Sequence, residues 1–221
     1  MSDNPAKLSS SEIATALVDL PDWRTRMGGL FTVYKAASSV AAVELVHQIG
    51  VLANELDHHP DLDWRYDHVF IRSSTHSVGG AVTVKDVDLA TRISALAVAA
   101  EAKPELFRTV EIGVDTADVE SVRDTWAALL KYKPHDGSDL YDPWGRGPAV
   151  WFQKTDTPDP SRLHLDVWVA DETADAVLAE TEKAGAKRLD DRFRPSFTVI
   201  GDADGNRFCV CTSLDRAAGA N

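Results

Sequence analysis

Cysteine is scarce in this chain, which has two in 221 residues, Cys209 and Cys211. Placed at i and i+2 of a strand they share a face, and near neighbours on one strand are badly placed for a disulfide. They are expected to be reduced core thiols, as in a cytoplasmic protein. Positive charge is also short: 23 Lys and Arg stand against 35 Asp and Glu, a net charge of −12. That balance favours solubility and argues against a nucleic-acid or anionic-membrane surface, because phosphates are repelled. No apolar run approaches the ~20 residues that span a bilayer. Met1 to Ser11 lacks a basic segment followed by an apolar one, so no signal peptide and no membrane partner are expected. What is present is ordinary globular composition, 44% hydrophobic and 26% charged, and the length suits two domains of roughly 100 residues.

Ser9 and Glu12 form a capping box, and the helix they open should stop near Leu20, before Pro21. Trp23 to Ala36 is strand-like, interrupted by the turn signal Gly28-Gly29. Ser38 and Ser39 open a second helix, in which Leu45, Ile49, Leu52 and Leu56 make one apolar stripe. Pro60 disfavours helical geometry at His59, which predicts His58 at the last turn and His59 in extended chain. A strand follows over about Tyr66 to His76. A third helix starts at Thr83, with Asp86 as its capping acid and Leu89, Ile93, Leu96 and Ala97 facing inward. The order α-β-β-α-β-α implies an α+β fold: a small antiparallel sheet with helices on one face.

Glu101 to Pro104 looks like a linker, which gives domains at 1–104 and 105–221. Beyond it lies a weak internal repeat. The strand Val110–Thr116 leads to Asp118 and a helix bearing Val122, Trp126 and Leu129. The strand Leu163–Val169 leads to Asp171 and a helix bearing Val177, Leu178 and Thr181. Each half continues into further strands, among them Ala149–Lys154, Phe197–Ile200 and Arg207–Thr212. The expectation is two βαβββ modules in tandem.

The chemistry-bearing residues cluster. Asp57-His58-His59-Pro60 is followed by Ser74-Thr75-His76, so two short segments supply three imidazoles flanked by carboxylates. Histidine supplies both acid and base forms near neutrality, which suits proton transfer. The negative end of the helix preceding His58 favours its protonated form, by ~0.3–1 kcal/mol at an exposed site. A zinc site built from the three is disfavoured, because adjacent residues rarely converge on one metal. His47, His68 and His135 are taken as surface or packing residues.

On these residues the first half resembles the pterin-4a-carbinolamine dehydratases, over about residues 8–100. The resemblance is carried by Leu56 to Pro60, Tyr66, Val69, Ile71, Ser74-Thr75-His76 and Asp86-Val87-Asp88-Leu89-Ala90. It implies dehydration of a 4a-hydroxytetrahydropterin to the quinonoid dihydropterin without metal or organic cofactor, in a homo-oligomer. It also implies that His58, His59 and His76 line the pterin site. His58 and His76 are the expected acid–base pair, with His59 orienting the ring. Asp57 and Asp88 would fix tautomers or bind the aminopyrimidine edge, with Ser74 and Thr75 as further substrate contacts. Asn54 stands where relatives often carry Glu, so a carboxylate role there is lost.

The second half, about 108–213, is similar to the vicinal-oxygen-chelate superfamily, which includes glyoxalase and bleomycin-resistance proteins. The residues are Asp118 with Trp126, then His164-Leu165-Asp166-Val167 and Asp202-Ala203-Asp204-Gly205-Asn206-Arg207-Phe208. In metal-binding members the ligands come from the first and last strands of each module. Here those positions are Glu111, His164, approximately Gln153, and Cys209 in place of a carboxylate. That mixed set suits a Lewis-acid or oxygen-activating metal poorly, and a metal-free domain is the expectation. Trp144, Trp151, Trp168 and Phe152 line an apolar cleft or form core. Two other functions remain open: a partner-binding scaffold without catalysis, and small-molecule binding or metal-dependent lyase activity in the second half.

Overall fold

Ser9 and Glu12 close the expected capping box, each bonding the other's backbone or side chain, and open α1, Ser10–Leu17. The helix stops three residues short of Leu20. Val18, Asp19 and Leu20 donate their N–H groups to carbonyls only three residues back, a tightened last turn that ends the α geometry. The structure is a computed structural model and describes residues 5–134, 139–157, 161–203 and 205–215. His135 and Asp204 lie outside the described residues.

A hairpin follows, β1 (Arg24–Arg26) with β2 (Gly29–Lys35). Its two-residue loop, Met27-Gly28, has φ of 45° and 71°, the twist that suits antiparallel strands. Ser38 caps α2, Ser39–Leu56, whose buried stripe is Ala42, Leu45, Ile49 and Ala53. Next comes a second hairpin, β3 (Asp61–Arg65) and β4 (His68–Ser73), turning at Tyr66 with φ 57°. Where the sequence predicts a single strand from Tyr66, the chain makes a hairpin, with β3 preceding a turn at that residue. Asp61, Asp63 and Arg65 place charges on one face of β3, which forms the sheet edge. Lacking an apolar run, it leaves little periodic signal.

Thr83 and Asp86 form a capping box at the start of α3, Val84–Ala99, which buries Leu89, Ala90, Ile93 and Ala97. Lys103-Pro104, read as linker, is a short strand β5 paired with β2. The antiparallel sheet runs β1-β2-β4-β3 with β5 also on β2. The core joins Trp23, Leu30, Tyr34, Val69 and Ile71 to Leu45, Ile49, Leu89 and Ile93 of α2 and α3. Each such large apolar side chain contributes ~1.5–3 kcal/mol on burial.

The chain divides between Phe107 and Arg108 into two compact units. Glu105 still belongs to the first, because its N–H donates to Val33 O at 2.9 Å. The second unit contains β6 (Thr109–Thr116), α4 (Val119–Leu130), β7 (Lys133–Pro134), β8 (Leu140–Tyr141) and β9 (Val150–Lys154). The pattern then repeats as β10 (Leu163–Trp168), α5 (Ala174–Lys183), β11 (Lys187–Asp190), β12 (Phe197–Gly201) and β13 (Arg207–Cys211). These are two βαβββ modules in one sheet, ordered β11-β12-β13-β10-β6-β9-β8-β7. One face packs against the helices: Val114, Val150 and Phe152 meet Val122 and Trp126 of α4, while Val210 and Ile200 meet Val177 and Leu178 of α5. Leu129 of α4 is 78% exposed. Strand alternation places Glu111, Gly113, Trp151, His164, Asp166, Trp168, Cys209 and Cys211 on the opposite face.

Candidate active site

Helix α2 ends because Asp57 turns left-handed, at φ 46° and ψ 45°. The N–H of Asp57 then bonds Asn54 O, and that of His58 bonds Ala53 O at 3.1 Å, a Schellman closure. His58 thus lies two residues beyond the helix, not in its last turn as predicted. The left-handed residue sets the stop, ahead of any effect of Pro60. The reversal turns His58 inward, to 8% exposure, and leaves Asp57 and His59 exposed. The pairing of β3 with β4 begins at Asp61 opposite Arg72, so His58–Pro60 and Ser73–His76 leave the sheet side by side.

Between them sits Asp86, fully buried. Its Oδ1 is 2.8 Å from His58 Nε2 and accepts from Ser73 Oγ at 2.7 Å. Its Oδ2 accepts from Thr75 Oγ1 at 2.7 Å, from the Thr83 N–H at 2.8 Å and from Thr83 Oγ1 at 3.1 Å. Burial alone raises the pKa of this carboxyl. The donors from Ser73, Thr75, His58 and the Thr83 backbone outweigh it and hold Asp86 below the usual carboxylate range. An ionised Asp86 only accepts, so in neutral His58 the proton resides on Nε2 and the lone pair on Nδ1.

The other predicted residues divide. Ser74 is buried, and its Oγ has no hydrogen-bond partner among the described residues. Thr75 is committed to Asp86 and Thr83. His76 is exposed and opens a 3-10 turn, His76–Val78. His59 Nε2 lies 3.0 Å from Asn54 Oδ1. Asp88 is not gathered with these residues: its side chain is about half exposed and pairs with Arg92 at 3.1 Å.

Asp86 is the residue the sequence reading assigned only to capping. The available signal was its place on the apolar stripe with Leu89, Ala90, Ile93 and Ala97. A carboxylate on that stripe must be buried and partnered, whereas Asp88 falls off it.

Residues 6–96 match the family model described as pterin 4 alpha carbinolamine dehydratase. A relative from Nocardia farcinica that carries this name is 44% identical over 90 residues, which cover 41% of this chain and 94% of that protein. The chain belongs to the pterin-4a-carbinolamine dehydratase family. A dehydratase-named relative from Streptomyces coelicolor is 43% identical over 90 residues, covering 41% of this chain and 89% of its own length. A solved structure titled transcriptional coactivator/pterin dehydratase, from Brucella melitensis, aligns at 29% identity with TM-score 0.40, over 42% of this chain and 99% of that one. Outside the dehydratase region, residues 111–211 match the model of a glyoxalase-like domain.

In that glyoxalase-like region the four anticipated ligand positions do not all converge: His164 and Cys209 come together, Glu111 and Gln153 do not join them. Gln153 is exposed, and Glu111 is buried as the acceptor for Trp168 Nε1 at 2.8 Å. The four-residue set Glu111, Gln153, His164 and Cys209 therefore does not fit a metal. Of the four aromatics, Phe152 belongs to the helix-facing core and Trp144 is 84% exposed. On the face opposite the helices, Trp151 is half-buried, and Trp168 is buried in a cluster with Cys209, Cys211, Phe197 and Val199. Among the described residues no helix is long and apolar enough to cross a membrane.

Proposed function

We propose that the dehydratase-family unit converts a 4a-hydroxytetrahydropterin to the quinonoid dihydropterin and water by histidine acid–base catalysis. The observation that carries this is the buried His58–Asp86 hydrogen bond, whose carboxylate also holds Thr75, the neighbour of His76. The reaction breaks the C4a–O bond, removes the N5 proton, forms the N5=C4a bond and releases the hydroxyl as water. His58 is the base: with Nε2–H bonded to Asp86, its Nδ1 accepts the N5 proton, and the carboxylate stabilises the imidazolium that results. His76 is the acid that protonates the departing hydroxyl. His59, tied to Asn54, orients the ring, and Ser74 Oγ offers a buried hydroxyl to the substrate.

Asp86 replaces Asp88 and Thr75 in this account as the group that matters behind the histidines, acting as a positioning residue. Asp57 contributes through its left-handed backbone. The reduced pterin is the partner, no cofactor enters the chemistry, and the exposed β3 edge with Trp64 and Tyr66 is a surface on which a homo-oligomer can build. A cytoplasmic setting belongs to the same reading, supported by two buried cysteines that are not joined in a disulfide. The test is turnover of freshly generated 4a-hydroxytetrahydropterin by the whole chain. Loss of the carbinolamine no faster than without protein would sink the reading.

A further inference from the structure

We infer that His164, Asp166 and Cys209 form a binding site for a thiophilic divalent ion of the Zn2+ type on the sheet face of the second unit that lies opposite its helices. One donor atom from each lies within 4.8 Å of the other two. Tetrahedral zinc, with ligand bonds of about 2.0–2.3 Å, holds its donors about 3.3–3.8 Å apart, so small side-chain rotations close the site. The fold fixes the three positions. Asp166 and Cys209 are direct partners in the parallel pairing of β10 and β13, and His164 precedes Asp166 by two residues on the same face. His164 Nε2 is already 3.7 Å from Asp166 Oδ1.

The surroundings hold the imidazole in place. Gly113 lies opposite His164 on β6, and a Cβ there would stand 2.4 Å from the ring, so only glycine admits it. Trp151 packs edge-on against the other side, with ring centres 5.3 Å apart. Asp166 also faces Glu111 across the antiparallel β6–β10 pair, and both carboxylates are buried. Two like charges opposed on one buried face are eased by a bound cation.

Thiolate, imidazole and carboxylate together select zinc-like ions over Mg2+ or Ca2+, and three protein ligands leave a fourth position for water or a small ligand. This departs from the metal-free expectation. It also departs from the ligand set first considered, because Asp166 supplies the carboxylate in place of Glu111 and Gln153 does not take part.

Co2+ titration of the reduced, metal-free whole chain tests this. The expected result is one Co2+ bound with a thiolate-to-metal charge-transfer band, displaced by Zn2+. With only two cysteines in the chain, the band reports Cys209 or Cys211. Histidines of the first unit produce none. Cys209→Ser should abolish the band and Cys211→Ser keep it. Asp166→Asn should weaken Zn2+ binding at least ~10-fold, and Glu111→Gln by less. Absence of the band, its survival in Cys209→Ser, or a larger loss in Glu111→Gln than in Asp166→Asn overturns the assignment. The band on the unsubstituted chain decides the matter even where a variant fails to fold.

Discussion

Asp86 Oδ1 lies 2.8 Å from His58 Nε2, with both side chains withdrawn from solvent. That contact joins the end of one helix to the start of another across 28 residues. Asp86→Ala leaves His58, three hydroxyls and a backbone N–H without their acceptor. We expect a loss of ~3–5 kcal/mol in urea unfolding, the cost of breaking a buried network at its charged centre.

Acid should weaken the fold through the same residue. The folded-state pKa of Asp86 is lowered from its ordinary 3.8. Its contribution to stability is therefore complete above that value and lost as the pH falls through the lower folded value. Unfolding free energy followed from pH 5 downward should drop less steeply in Asp86→Asn than in the native chain.

Much of this architecture was legible before the structure. Ser9 with Glu12, Thr83 with Asp86, and the stripe of α2 are local patterns, read within one or two helical turns. The edge strand β3 was not legible, because Asp61-Leu62-Asp63-Trp64-Arg65 lacks the apolar alternation of a two-sided strand. The role of Asp86 was hidden for another reason. One side chain both caps α3 and bonds His58, and only the second task depends on contacts distant in sequence. In the second unit the repeat gave both modules, but spacing along a strand could not show that Asp166, rather than Glu111, neighbours Cys209.

The first unit should need residues past Pro104. Glu105 bonds Val33 through its backbone and His68 through its carboxylate at 2.9 Å, and the Phe107 ring lies 6.2 Å from that of Phe31. A fragment of residues 1–107 should melt higher than one of 1–104, by about 4–8 °C for each kcal/mol these contacts supply. Equal melting temperatures would show that the three residues add nothing.

Gly113→Ala should disturb the second unit alone. The added methyl must displace the His164 ring, at a cost of ~1–3 kcal/mol for forced overpacking. Thermal unfolding should show that shift, while dehydration by the first unit stays at the native rate.

His76→Ala should lower dehydration turnover by at least ~10² with the fold intact by circular dichroism, the usual scale for losing a positioned acid. His59→Ala should raise KM more than it lowers kcat, the result expected of a residue that orients the ring.

The most direct measurement is the turnover number of His58→Ala beside that of the native chain, on freshly generated 4a-hydroxytetrahydropterin and with both proteins shown to be folded. Proton transfer through His58 predicts a native chain well above the spontaneous rate and a variant at least ~10² slower. A folded variant that dehydrates as fast as the native chain would contradict it.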